Sequence, residues 1–217
     1  MRPAMERNSG AAGAAGAAGA AGAGLEGLDA ADAETRARAL DTLVVAGRAS
    51  TPVLLRALAS RKADVREKAA QGLAEIGDPA AAQALADALA DPEPKVRGRA
   101  AQGLAAIGDP RSLAALVATI DDFPDPLHAP HTVSTYVLIA RGRDVLPAVA
   151  PLLDARLPIT RQRAFAVLQS LVTAMPEAGD WGPLWQSLGG YDPNDPDAAA
   201  RRAAAAGWRQ WIAARGL

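Results

Sequence analysis

The sequence predicts an all-α solenoid of about five stacked antiparallel helix pairs, preceded by a disordered tail. Three observations carry this expectation. Residues 65–79 (VREKAAQGLAEIGDP) return as residues 96–110 (VRGRAAQGLAAIGDP), offset by 31, with 12 of 15 positions identical. An internal period of about 20–50 residues marks an array of supersecondary units that bury their apolar faces on one another. Within each copy the apolar residues fall 4, 4 and 3 apart, one face of an α-helix. Each copy also ends in Gly-Asp-Pro.

Val65, Ala69, Leu73 and Ile76 form the inward stripe of the first helix, and Val96, Ala100, Leu104 and Ile107 repeat it. Gly77 and Gly108 stand where a left-handed residue closes a helix at little cost. In Asp78-Pro79 and Asp109-Pro110, Asp caps and Pro opens the next helix. Leu85 and Leu89, then Leu116 and Ile120, give that second helix its apolar side. A weaker copy lies upstream in Arg36, Ala39, Leu43 and Gly47, continued by Leu54 and Leu58. Downstream, Tyr136 to Ala140 and then Leu146, Val149 and Leu153 read as a further pair, broken at Gly142. Residues 160–174 read as a helix with Phe165, Leu168 and Leu171 or Val172 inward, and residues 196–214 as the last one. Residues 1–27 read as an Ala/Gly-rich low-complexity tail and 28–217 as the repeat domain with a tryptophan-containing cap. A cleaved signal peptide is the competing reading of the tail. Its apolar core would be rich in Leu or Val, whereas residues 10–24 are Ala and Gly.

The pattern VR..AA..L..IGDP followed by a Leu-containing helix resembles the HEAT-like repeat found in phycobilisome lyase subunits and many bacterial proteins. The resemblance is strong over residues 64–120, fair over 30–63 and weak over 121–217. It implies the fold and leaves function open, because this repeat serves unrelated roles. It also implies that the second helix of each pair lines a concave face, with Arg56, Gln83 and Asp87 pointing outward as the nominal partner contacts. HEAT-type repeats commonly pair an Asp with an Arg. The resemblance therefore assigns Arg36, Arg66 and Arg97, with Asp78 and Asp109, to ties between repeats rather than to a phosphate-binding stripe.

Composition narrows the function classes. The 217 residues are 50% hydrophobic but only 4% aromatic, so small side chains build the core. Gly72 and Gly103 sit inside helices at a cost of about 1 kcal/mol each relative to alanine. They mark places where a neighbouring helix comes near. No run of 18 apolar residues is present, so no membrane partner is expected. There is no cysteine, which removes disulfides, thiolate zinc and a cysteine nucleophile and fits a cytoplasmic protein. A net charge of −1 gives no pull toward nucleic acid.

Several clusters invite chemistry and each has a plainer reading. Asp121, Asp122, Asp125, His128 and His131 lie in DDFPDPLHAPH, where His-x-x-His with carboxylates could hold a metal. Three prolines instead favour an inter-repeat loop. His128 is followed by Ala and His131 by Thr, so the His-Glu pairs of deoxyhypusine hydroxylase, an enzyme with HEAT-like repeats, are not matched. Asp192, Asn194, Asp195 and Asp197 suggest a calcium loop, but Asp197 and Ala203 occupy the positions where an EF-hand needs Gly and Glu. Asp195 reads as the cap of a helix starting at Pro196. Trp181, Trp185, Trp208 and Trp211 read as a cap on the stack, with a partner hot spot as the alternative. Gly189-Gly190 is followed by no Lys-Ser or Lys-Thr, and Ser60, Ser112, Ser134, Ser170 and Ser187 lack a nucleophile-elbow context. No catalytic residue, metal or cofactor is expected.

The expected function is a non-enzymatic scaffold or regulatory module that binds another protein. A phycobilin-lyase-like subunit is the first alternative. A nucleic-acid binder is the second, resting on an edge formed by Arg61, Lys62, Arg66, Lys68, Lys95 and Arg99.

Overall fold

The computed structural model describes residues 24–217. The expected tail lies outside the described residues as far as residue 23. Residues 24–28 are helical and Leu28 is fully buried, which corrects the tail boundary at 27. The glycines that read as low complexity make a tight packing seam. A Cβ on Gly24 would lie 2.7 Å from Leu43 Cδ2, and one on Gly27 would lie 2.6 Å from Ala39 Cβ.

The fold is an all-α solenoid, and the chain divides into two compact units, one ending at Ile107 and the other spanning Gly108–Leu217. In the first unit α1 (Ala33–Val45) opens on Asp32, whose carboxylate accepts the Thr35 N–H at 2.7 Å. A 3₁₀ turn (Gly47–Ser50) leads into α2 (Thr51–Ala57). Helix α3 (Ala63–Ile76) closes on Gly77 at φ +64°, the left-handed conformation expected there. The second helix does not begin directly after Asp78. Pro79–Ala81 form a 3₁₀ turn and α4 (Ala82–Ala88) follows, then α5 (Pro94–Ala106). Helix α3 packs between α1 and α5, while α2 lies on α3 and α4 on α5. Val65, Ala69, Leu73, Val96, Ala100 and Leu104 are buried, together with Leu54 and Leu85 from the second helices.

Gly72 and Gly103 are close-approach sites. A Cβ on Gly72 would sit 2.9 Å from Leu40 Cδ1 and 3.0 Å from Leu54 Cδ1, and one on Gly103 would sit 2.8 Å from Leu85 Cδ1. Gly72→Val places three carbons in that seam and is expected to cost about 1–3 kcal/mol through overpacking. Urea denaturation followed by circular dichroism at 222 nm reads the loss.

The second unit holds α6 (Ser112–Ala118), α7 (Val133–Ala140), the one-turn helix α8 (Leu146–Val149), α9 (Pro158–Thr173), α10 (Trp181–Ser187) and α11 (Ala198–Ala213). Helix α9 packs on α7 and on a 3₁₀ segment (Ala150–Asp154), and α11 packs on that segment and on α8. The pair expected from Tyr136 onward is present, but its second member is fragmented. Pro151 has no N–H to continue an α-helix from Val149, so the chain passes into 3₁₀ geometry. Helix α10 was not anticipated, and Gly182 and Pro183 lie inside it. They occupy its first turn, where backbone N–H groups lack intrahelical partners and proline is tolerated. No described helix is long and apolar enough to cross a membrane.

Candidate functional site

The arginines stationed at a repeated position do a repeated job. Arg36 Nη1 donates to the carbonyls of Ala30 (2.8 Å) and Ala31 (2.7 Å), and Arg66 Nη1 to those of Ser60 (2.9 Å) and Arg61 (3.2 Å). Arg97 Nη1 donates to Asp91 (2.9 Å) and Pro92 (3.1 Å). In the second unit Arg161 does the same to Ala155 (2.9 Å) and Arg156 (3.0 Å). Each side chain thus clamps the turn that leads into its own helix. Sequence reasoning missed Arg161 and Arg163, both buried. The signal was present, since Thr-Arg-Gln-Arg-Ala at 160–164 copies Val-Arg-Gly-Arg-Ala at 96–100.

The aspartates differ from expectation. Arg66 forms a two-pronged pair with Asp91, Nε to Oδ2 at 2.6 Å and Nη2 to Oδ1 at 2.9 Å. Asp78 instead accepts from Thr51 Oγ1 at 2.7 Å and from the Ala80 N–H at 3.1 Å. Asp109 is held by Arg111, two residues on, at 2.8 Å. The clamp geometry explains the reassignment. With Nη1 bound to the lead-in turn, the remaining guanidinium edge of Arg66 faces the turn after α4, where Asp91 stands, and not the Gly-Asp-Pro corner. The Arg66 bond holds the Asp91 carboxyl below the usual carboxylate range, and Arg66 is raised in turn.

Arg56, Gln83 and Asp87 are all exposed, on α2 and α4 of the first unit. Gln83 Nε2 donates to Asp87 Oδ1 at 2.8 Å. Two clefts meet here. One of about 460 Å³ has Leu25, Ala57, Ala59 and Val65 in its wall, with Glu26 and Arg56. The other, about 350 Å³, lies between α2 and α4 and is lined by Leu55, Leu58, Ala59, Ala84 and Asp87 among others. Ala59 belongs to both. Sequence reasoning named Arg56 and Asp87 but missed Glu26, which it had assigned to the tail.

The histidine loop is organised around one carboxylate. Asp125 Oδ1 accepts the Leu127 N–H at 2.9 Å, and Oδ2 lies 2.8 Å from His128 Nδ1 and accepts the Tyr136 hydroxyl at 2.9 Å. His131 stacks on Tyr136 with ring centroids 5.1 Å apart. Asp121 is engaged elsewhere, by Thr160 Oγ1 and by Arg163 Nη1 at 2.8 Å. The two histidines and the carboxylates are therefore not gathered on one point. Among the described residues no group of three His, Cys, Asp or Glu is placed to hold a metal. The Leu127 N–H, then His128, hold the Asp125 carboxyl at about 2. Its ordinary value is about 3.9, so its contribution to stability is complete above that pH and is lost as pH falls from about 4 toward 2. Asp125→Asn is expected to flatten the acid limb in that window, read as urea midpoints at pH 5 and pH 3.

In the last stretch Asp192, Asp195 and Asp197 each accept backbone N–H groups from the following residues. The cap of α11 is Asp197, not Asp195, because the helix starts at Ala198 and only Asp197 reaches the N–H groups of Ala199 and Ala200. Trp208 and Trp211 are buried and Trp181 and Trp185 half-buried. Trp181 stacks on Trp208 at 5.4 Å, and Trp211 meets Trp208 edge-on at 5.8 Å. Tyr191 donates to the Leu153 carbonyl at 2.6 Å, and burial pushes its hydroxyl up to about 12.

Among the expected edge cations, Lys62 pairs with Asp29 (3.0 Å), Lys68 meets Gln71 (3.0 Å) and Arg99 meets Glu67 (3.4 Å). With Arg66 held by Asp91, four of the six are engaged in local ties.

A search of curated proteins returns no match. A solved structure described as an engineered protein of the Northeast Structural Genomics Consortium is similar at 20% identity. It covers 89% of this chain and 96% of its own, with a TM-score of 0.40. The family model for HEAT repeats matches residues 24–94 and 87–169 and does not extend to a phycobilisome-lyase type. Both matches run through the clamped helices, and the chain belongs to the HEAT-repeat family.

Proposed function

We propose that this chain is a non-enzymatic, cytoplasmic scaffold or regulatory module that binds another protein through the exposed face of α2 and α4. The supporting observation is the pair of clefts joined at Ala59, whose apolar walls carry exposed Arg56 and Asp87. Protein-binding surfaces combine an apolar centre with a polar rim in this way. Four of the six edge cations, Lys62, Arg66, Lys68 and Arg99, share their charge with local carboxylates, which argues against nucleic acid as the partner.

The test is a pull-down from nuclease-treated native lysate with the full chain and with an Arg56→Asp/Asp87→Lys variant, read by mass spectrometry. A stoichiometric protein retained by the native chain and lost with the variant is expected. Recovery of no protein, or recovery only without nuclease, overturns the proposal.

A further inference from the structure

The two clefts carry a charge pattern that specifies the partner's chemistry. Of the acidic groups around them, Asp29 is paired with Lys62 and Asp91 with Arg66. Three charges remain. The side chains of Glu26 and Arg56 make no hydrogen bond or ion pair with any described residue, and the Asp87 carboxylate meets only the neutral amide of Gln83. Glu26 and Arg56 line the 460 Å³ cleft, and Asp87 lines the 350 Å³ cleft beside it. The floor between them is Ala57 and Ala59, flanked by Leu25, Leu55 and Leu58. Methyl-sized side chains there leave room for a bulky apolar group from outside.

Electrostatic complementarity fixes register and partner choice more than raw affinity. A segment seated here meets an anion and a cation in the larger cleft and an anion in the smaller one. We infer that this face receives a peptide segment of a partner protein with a bulky apolar side chain for the larger cleft, an acidic residue for Arg56, and basic residues for Glu26 and Asp87. This inference rests on the scaffold reading and sharpens it to one surface and one sequence pattern.

The cleft volume of about 460 Å³ also lies within the range of small-molecule sites. The continuation of the apolar floor across Ala59 into a second cleft, with an unmatched charge in each, favours a chain-like occupant over a compact one.

The experiment pans a phage-displayed library of random dodecapeptides on the immobilised full chain, with the same panning on Arg56→Glu. Recovered peptides are then synthesised and titrated by fluorescence anisotropy against the native chain, Ala59→Trp and Glu26→Lys. All of these positions are exposed or line the clefts, and circular dichroism verifies the fold of each variant. The expected result is enrichment of an aromatic or long aliphatic residue flanked by acidic and basic residues. Ala59→Trp, which places a bulky ring at the residue common to both clefts, should weaken binding by about tenfold or more, the scale of a central contact. Arg56→Glu should switch the selected acidic position to a basic one. Peptides lacking the pattern, or binding indifferent to Ala59→Trp, overturn the inference, as does enrichment no greater than on an unrelated protein. None of these outcomes touches the scaffold reading, which stands or falls on the lysate pull-down and its folded partner.

Discussion

Trp208→Ala is expected to lower the stability of the second unit by about 3–5 kcal/mol, the range for deleting a large buried aromatic. Trp208 is fully buried and is the hub of the aromatic cluster, stacked on Trp181 and edge-on to Trp211. The cluster continues through Phe165, 5.9 Å from Trp181 and 5.1 Å from Tyr191, so truncation removes the middle of a connected set. The measurement has a built-in locator. All four tryptophans lie between residues 181 and 211, so fluorescence follows the second unit alone while circular dichroism follows both. The native chain should emit in the blue, and the variant should lose that emission at lower urea. Trp208→Phe should cost less than Trp208→Ala. It retains a ring for Trp181 and removes an indole N–H that has no acceptor among the described residues, a burial cost of about 1–3 kcal/mol. A change below 1 kcal/mol in Trp208→Ala would show that the cluster is not the anchor of this unit.

Arg66→Ala should destabilise the first unit by about 3 kcal/mol, the lower part of the range for breaking a buried ion pair by removing one member. The lower part applies because the two side chains keep 14% and 10% of their exposure. The loss has two sources. Asp91 is left as a near-buried carboxylate without its cation, and the carbonyls of Ser60 and Arg61 lose their donor. A double-mutant cycle with Asp91→Leu separates them. The Arg66→Ala/Asp91→Leu pair should cost less than the sum of the single changes, since no charge is left uncompensated. Acid titration gives a second check. The Asp91 carboxyl is held low in the native fold, so its contribution is complete above about pH 4 and fades below it. That portion of the acid dependence should shrink in Arg66→Ala.

The parts that were legible in the sequence are those where local chemistry and tertiary packing agree. Val65, Ala69 and Leu73 fall on one helical face, end at Gly77, and are buried as their spacing implies. Gly72 and Gly103 announced close approach because nothing else explains glycine in a helix interior. The second helices were harder to delimit. Pro79 and Pro151 fall in 3₁₀ segments, and the apolar period does not register that change. The partner of Arg66 was out of reach for a different reason. Asp78 and Asp91 are both plausible carboxylates, and only the direction left open after the arginine has clamped its own turn decides between them. Glu26 was hidden by composition. Glycines at 24 and 27 that serve a packing seam look the same in sequence as those of a featureless tail.

The clamps of Arg36, Arg66, Arg97 and Arg161 each reach only five and six residues back along the chain. Each of these four helices therefore brings its own hinge pin, set by residues inside the same segment. A block cut out or copied between two such turns carries its fastening with it, and no distant loop has to be redesigned to receive it. Gene duplication needs parts of this kind. The near-identity of residues 65–79 and 96–110 is what two copies of one such block look like. The Arg66–Asp91 fork works inside one such block too, tying the start of α3 to the turn that follows α4.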